Sequence, residues 1–242
     1  MNDFKSLNET VERIISVKNV SKFYGGEVKH FEALHSVSFD INRGELVAVT
    51  GPPGCGKTTL FNILGLLESP TSGNIVVNGT DINDLNKIEL NSLQVALFGY
   101  ISPALGLVDY FDVSNNVKLG VRYKRLNKKY KESCVLSILQ RLDLTHLQNE
   151  YPSSLTAFES EKVLLARAMV AAPEILLVDD FGHNLDSRHA KELFNTLRQF
   201  VSNGTTLVFT TSNVAMSEFA DKTFGLLDGA IVTEQQWPGK IW

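Results

Sequence analysis

Apolar and polar residues alternate over 14–20 and again over 37–41. That two-residue period predicts strands with one buried face. Ile175-Leu176-Leu177-Val178 is apolar without a break, as expected of a central parallel strand covered on both faces. Leu46-Val47-Ala48-Val49 reads as another short buried strand, and Ile75-Val76-Val77 as one that runs into a turn at Asn78-Gly79. Further strands are expected over 207–210 and 224–227, and helices over 59–64, 128–142, 159–171 and 190–201. The helix over 128–142 is basic. Phe23-Tyr24-Gly25-Gly26 reads as a loop, and 102–156 as mostly helical. Strands alternating with helices predict an α/β fold around a parallel sheet.

Between the strand at 46–49 and the helix at 59–64 lies Gly51-Pro52-Pro53-Gly54-Cys55-Gly56-Lys57-Thr58-Thr59. Gly51, Gly56, Lys57 and Thr58 stand at phosphate-loop spacing, in the strand–loop–helix context that the motif requires. Glycines let the backbone turn tightly, so that successive N–H groups point inward at phosphate oxygens. The helix N-terminus adds its positive dipole end. Lys57 is then placed to neutralise the outer phosphates, and the Thr58 hydroxyl to hold Mg²⁺.

Composition narrows the class. The chain has 242 residues, 43% hydrophobic and 21% charged, which suits one soluble domain spanning 1–242 with a sizeable core. A net charge of −4 does not indicate a broad nucleic-acid surface. Of the two cysteines, Cys55 lies inside the glycine-rich loop and Cys134 far from it, so a reducing cytosol is expected rather than a structural disulfide. Residues 1–13 are polar and of mixed charge, unlike a signal peptide, and no apolar run reaches bilayer-spanning length. A membrane role would come through a partner.

Pro70-Thr71-Ser72-Gly73, Tyr151-Pro152, Ala166-Arg167-Ala168 and Asn184-Leu185-Asp186 complete a pattern. Together with the phosphate loop, it resembles the nucleotide-binding subunits of ABC transporters over about 14–232. Within them it looks most like the lipoprotein-release and macrolide-export group. The resemblance implies a P-loop NTPase (RecA-like) core over 14–101 and 157–235, with an antiparallel β subdomain and a helical subdomain inserted at about 102–156. It implies ATP and Mg²⁺ as ligands. Tyr24 would stack on adenine, Thr58 and Asp179 would hold the metal, and Asp186 would contact a second ATP-binding subunit across a nucleotide sandwich. That subunit is either a copy of this chain or a different ATPase. Membrane permease subunits are the other implied partners, placing the chain on the cytoplasmic face of the cell membrane. Leu105, Leu107, Val108, Tyr110 and Phe111 in the helical segment are candidates for permease contact or for packing within the subdomain.

The chain also departs from the family pattern. A glutamate is expected after the metal aspartate to polarise water; here Asp180 is the candidate base, one methylene shorter. A misplacement of about 1 Å can cost on the order of 100-fold in rate. Ser212 stands where a histidine would touch the γ-phosphate. His183 reads as a solvated loop residue rather than a substitute. Phe98-Gly99-Tyr100-Ile101-Ser102-Pro103 reads as the loop entering the helical segment, with Pro103 replacing a glutamine. Leu155-Thr156-Ala157-Phe158-Glu159 replaces the signature Leu-Ser-Gly-Gly-Gln. There Phe158 would fill space that a phosphate needs, and Glu159 brings charge of the wrong sign. The leading expectation is a subunit that binds MgATP and couples it to a membrane complex while hydrolysing poorly. An active ATPase using Asp180, or an interaction subunit with structural nucleotide, remain the alternatives.

Overall fold

The computed structural model describes residues 12–25, 31–180 and 185–232. The chain opens with β1 (Arg13–Tyr24), β2 (Phe31–Asn42) and β3 (Leu46–Thr50), followed by α1 (Lys57–Leu64). Next come β4 (Ser72–Val77), β5 (Thr80–Asp81), α2 (Lys87–Leu97) and β6 (Phe98–Ile101). The helices α3 (Val113–Lys118), α4 (Lys128–Arg141) and α5 (Ala157–Met169) lead to β7 (Ile175–Asp179). The chain ends with α6 (Ser187–Ser202), β8 (Thr206–Thr211), β9 (Lys222–Leu227) and β10 (Ala230–Val232).

Two sheets form. One is antiparallel with the order β2-β1-β4-β5, and the other has the order β10-β9-β3-β8-β7-β6. In the second sheet β3, β6, β7, β8 and β9 run parallel, and only the β9–β10 pair is antiparallel. Every residue of β3, β7 and β8 is buried. The pleat explains how both faces are covered. Leu46 and Ala48 join one cluster with side chains of α3, α4, α5 and α6, while Val47 and Val49 join another with α1 and the antiparallel sheet. A strand sandwiched in this way has no polar face, and so it reads as a continuous apolar run.

Several elements differ from the sequence reading. Phe23 and Tyr24 belong to β1, where Tyr24 pairs with Phe31, rather than to a loop; Gly26 lies outside the described residues. Residues 98–101 form the parallel edge strand β6 instead of a loop. Its Gly99 is required by close approach, because a Cβ there would stand 2.7 Å from the Ala168 carbonyl. Helix α2 starts at an Asn86–Glu89 capping box, and β10 follows the Asp228-Gly229 turn. Both signals are local, and both elements were absent from the reading above. Helices α1 and α5 each begin two residues earlier than expected, which places Ala157 and Phe158 inside the first turn of α5. Among the described residues no helix is long and apolar enough to cross a membrane.

Candidate functional site

The loop between β3 and α1 is shaped by its glycines. A Cβ on Gly51 would collide with the Leu226 carbonyl and with Cys55 Sγ. Gly56 has φ 103° and its Cβ would stand 2.5 Å from the Ala33 carbonyl, so this position is closed to other residues on two counts. Gly56 also caps α1 without any side-chain hydrogen bond. The first N–H groups of α1 are therefore left for a ligand. Lys57 Nζ donates to the carbonyls of Gly51 (2.7 Å) and Pro52 (2.8 Å), stapling the loop. Cys55 is buried beneath it, and burial pushes its thiol pKa up.

Strand order brings the acids to this loop. Because β8 lies between β3 and β7, the end of β7 faces the start of α1. Thr58 Oγ1 stands 3.3 Å from Asp179 Oδ2, and Thr210 on β8 donates its hydroxyl to Asp179 Oδ1. Asp180 follows with φ 49°, in the left-handed region that aspartate tolerates better than most residues, and its N–H donates to the Thr210 carbonyl. A cleft of about 340 Å³ results, lined by Pro53, Gly54, Lys57, Thr58, Asp179 and Asp180 together with Thr59, Ser212, Ala33 and Phe31.

This donor set fits a magnesium-bound nucleoside phosphate. The amides of α1 are uncapped, the loop has no room for side chains at Gly51 and Gly56, and one hydroxyl faces one buried carboxylate. Among the described residues no group of three His, Cys, Asp or Glu could hold a metal alone. Phosphate oxygens would have to complete the shell, as magnesium usually requires. Tyr24 lies at the rim of the loop. Its hydroxyl donates to Glu68 (2.7 Å) and reaches Thr59 (3.5 Å), and the residue is 37% exposed. Phe31, across the strand pair from Tyr24 and 62% exposed, lines the same cleft and was missed from sequence. Its only sequence signal was an aromatic residue just ahead of an alternating strand.

Pro103 and Asp186 do not line this cleft. Pro103 is exposed at the start of a short 3₁₀ turn capped by Ser102. Asp186 caps α6, accepting from the N–H groups of Arg188 and His189 and lying 2.7 Å from His189 Nδ1. Those backbone hydrogen bonds hold its carboxyl below the usual range. His183 and Asn184 lie outside the described residues.

The altered signature is folded onto its own chain. Thr156 caps α5, donating its N–H to the Glu159 carboxylate at 2.8 Å while its own hydroxyl accepts from Glu159 N–H. The Thr156 hydrogen bonds lower the Glu159 pKa. Phe158 packs on the helical core, with its ring 4.5 Å from that of His189 on α6 and Lys162 Nζ 5.5 Å away. In contrast to α1, the N-terminus of α5 is closed by its own side chains.

A strand, a glycine loop, an uncapped helix and a buried acid at the end of another parallel strand of the same sheet define a P-loop nucleotide-binding domain. Residues 34–181 match the family described as ABC transporter. An uncharacterized ABC transporter ATP-binding protein of Methanocaldococcus jannaschii is 32% identical over 220 residues, covering 90% of this chain and 98% of that one. The macrolide export ATP-binding/permease protein MacB of Agrobacterium fabrum is 30% identical over 93% of this chain, which spans only 35% of that longer protein. The ATP-binding cassette MJ0796, solved as a dimer in a post-hydrolysis state with ADP and Pi, superposes with a TM-score of 0.82 at 28% identity, over 90% of this chain and 97% of that one. The chain belongs to the ABC transporter family, as one of its ATP-binding domains.

Proposed function

We propose that this chain binds MgATP as half of a two-subunit nucleotide sandwich and couples its nucleotide state to permease partners at the cytoplasmic face of a membrane, with weak or no hydrolysis of its own. The contrast between the two helix N-termini carries this reading. α1 offers open amides, while α5 is closed by Thr156, Phe158 and Glu159. Bound MgATP would supply the metal and the phosphates that draw Lys57, Thr58 and Asp179 together. Lys57 would leave the carbonyls of Gly51 and Pro52 for phosphate oxygens, and Tyr24 would present its ring to the base. In a partner's site the α5 terminus would offer a carboxylate where phosphate needs donors, which opposes binding. Within its own site Asp180 and Ser212, both on the cleft, would stand in for a longer acid and an imidazole acting on water and γ-phosphate.

Permease docking is supported by a groove of about 630 Å³ between β6, the segment after it and α5. Leu105 and Val108 line it, and Arg167 holds the Leu105 and Gly106 carbonyls beside it. Leu107 instead packs on the helical core, so it takes the packing role. Tyr110 is 79% exposed, with Phe111 edge-on against it.

The test is ATP turnover of the isolated chain and of its native complex, with calorimetry for binding. The chain should bind MgATP and turn over well below about 1 s⁻¹, the low end of ordinary enzyme rates. Asp180→Glu with Ser212→His should raise turnover only where the partner subunit has an intact signature, because a homodimer keeps the closed α5 opposite each nucleotide. Turnover at or above that rate in the isolated wild type would favour the second reading, an active ATPase with Asp180 as base. The position of Asp180 in the cleft keeps that reading open.

A further inference from the structure

The ten residues 122–131 carry six basic side chains, two tyrosines and no acid, in a chain whose net charge is −4. They run from the end of the α3 region into the first turn of α4. Lys128, Lys129 and Lys131 sit at the N-terminus of α4, where the helix dipole disfavours cations, and no acid occupies that first turn. Folding alone therefore does not account for them. Among the described residues the carboxylate of Glu132 lies 3.9 Å from Lys128 and is shared with Lys118, outside the segment, at the same distance. The segment is held open by bonds to backbone: Lys131 Nζ donates to the Arg122 carbonyl and Lys124 Nζ to that of Ala96. Arg122, Arg125, Lys128 and Lys129 are exposed, as are Tyr123 (74%) and Tyr130 (56%).

The location selects the occupant. A shallow hollow of about 760 Å³ lies beside this segment, with Ile88 (79% exposed) and Arg125 on its walls. Val95, Tyr123 and Lys124 line both that hollow and the groove described above, so the basic patch continues the groove face. Clustered Lys and Arg interleaved with exposed aromatic and aliphatic side chains match an anionic lipid surface: cations meet headgroup phosphates, and rings rest at the interface. We infer that the 122–131 segment is a lipid-contacting patch, binding anionic phospholipid headgroups beside the permease groove. The inference stands on the charge pattern and uses the permease reading only to orient the face.

The test is flotation of the full chain with phosphatidylcholine vesicles, with and without phosphatidylglycerol. Wild type should float with the anionic vesicles only, and added salt should release it. The triple substitution Arg125→Gln, Lys128→Gln, Lys129→Gln should weaken partitioning on the order of a hundredfold, from about fivefold per charge. ATP affinity and thermal unfolding should stay unchanged. Tyr123→Ala should weaken it without altering the salt dependence. Equal binding to neutral vesicles, no binding by the wild type, or full binding by the triple variant would each overturn the proposal. Retention on polyglutamate but not on anionic vesicles would assign the patch to an acidic protein segment and overturn it too. A chain that floats but binds no ATP would refute the proposed function and leave this inference standing.

Discussion

Restoring glycine at 157 and 158 asks whether the altered signature has become part of this chain's own packing. The Phe158 ring is half-buried against the helical core and packs at a tilt against His189. Truncating a fully buried Phe costs about 3–5 kcal/mol, and a half-buried one about half of that. The ring pair contributes about 0.5–1.5 kcal/mol more. Each glycine placed within a helix adds about 0.5–1 kcal/mol. For Ala157→Gly with Phe158→Gly the sum is roughly 3–6 kcal/mol, an upper figure because neighbouring sites are not additive. That is a large share of a typical domain stability of about 5–15 kcal/mol. Urea unfolding followed by far-UV circular dichroism measures it. Phe158→Leu, which keeps apolar bulk but loses the ring pair, should lose much less. A double variant within about 1 kcal/mol of wild type would refute the packing account and leave Phe158 explained only by its effect on a partner's phosphate.

Other outcomes follow from the same geometry. Lys57→Ala should weaken MgATP binding by about 1.5–3 kcal/mol, the range for a charge-assisted contact, as read by calorimetry; unchanged affinity would remove Lys57 from the phosphate site. Glu159 has a folded pKa below its unfolded value because of its Thr156 hydrogen bonds, so it stabilises the fold above the unfolded pKa and loses that effect as pH falls through the folded one. Glu159→Gln, which keeps the capping box, should therefore flatten the stability–pH curve in the acid range below about 4.5, and a curve parallel to wild type there would count against the box. Leu105→Glu with Tyr110→Asp should release the subunit from membranes that contain its permease while leaving ATP affinity intact, and undiminished recovery with those membranes would argue against docking at the groove.

The edge strand β6 shows where sequence reading ran out. Phe98-Gly99-Tyr100-Ile101 is short, carries a glycine and has no run of alternating positions, so nothing local marks it as a strand. Only its parallel register with β7 and the approach of the Ala168 carbonyl to Gly99 make it one. The phosphate loop was legible for the opposite reason. Its glycines, Lys57 and Thr58 act through backbone geometry within a few residues, and local spacing records that geometry.

Where the cause of an element is local, the residues alone reveal it: the phosphate loop and the apolar run of a strand covered on both faces were read in that way, whereas the equally local caps that start α2 and α5 were passed over. The tertiary structure decided everything that depends on sheet order. It placed β8 between β3 and β7, which brings Asp179, Asp180 and Ser212 to Lys57 and Thr58, and it set Phe31 into the same cleft. It also folded Phe158 onto His189 and laid the basic segment beside the groove. Burial of apolar surface is non-directional, so an apolar run states that a strand is covered but not which strand lies next to it. That choice is made by the packing of distant segments against one another, and the chemistry of the cleft depends on it.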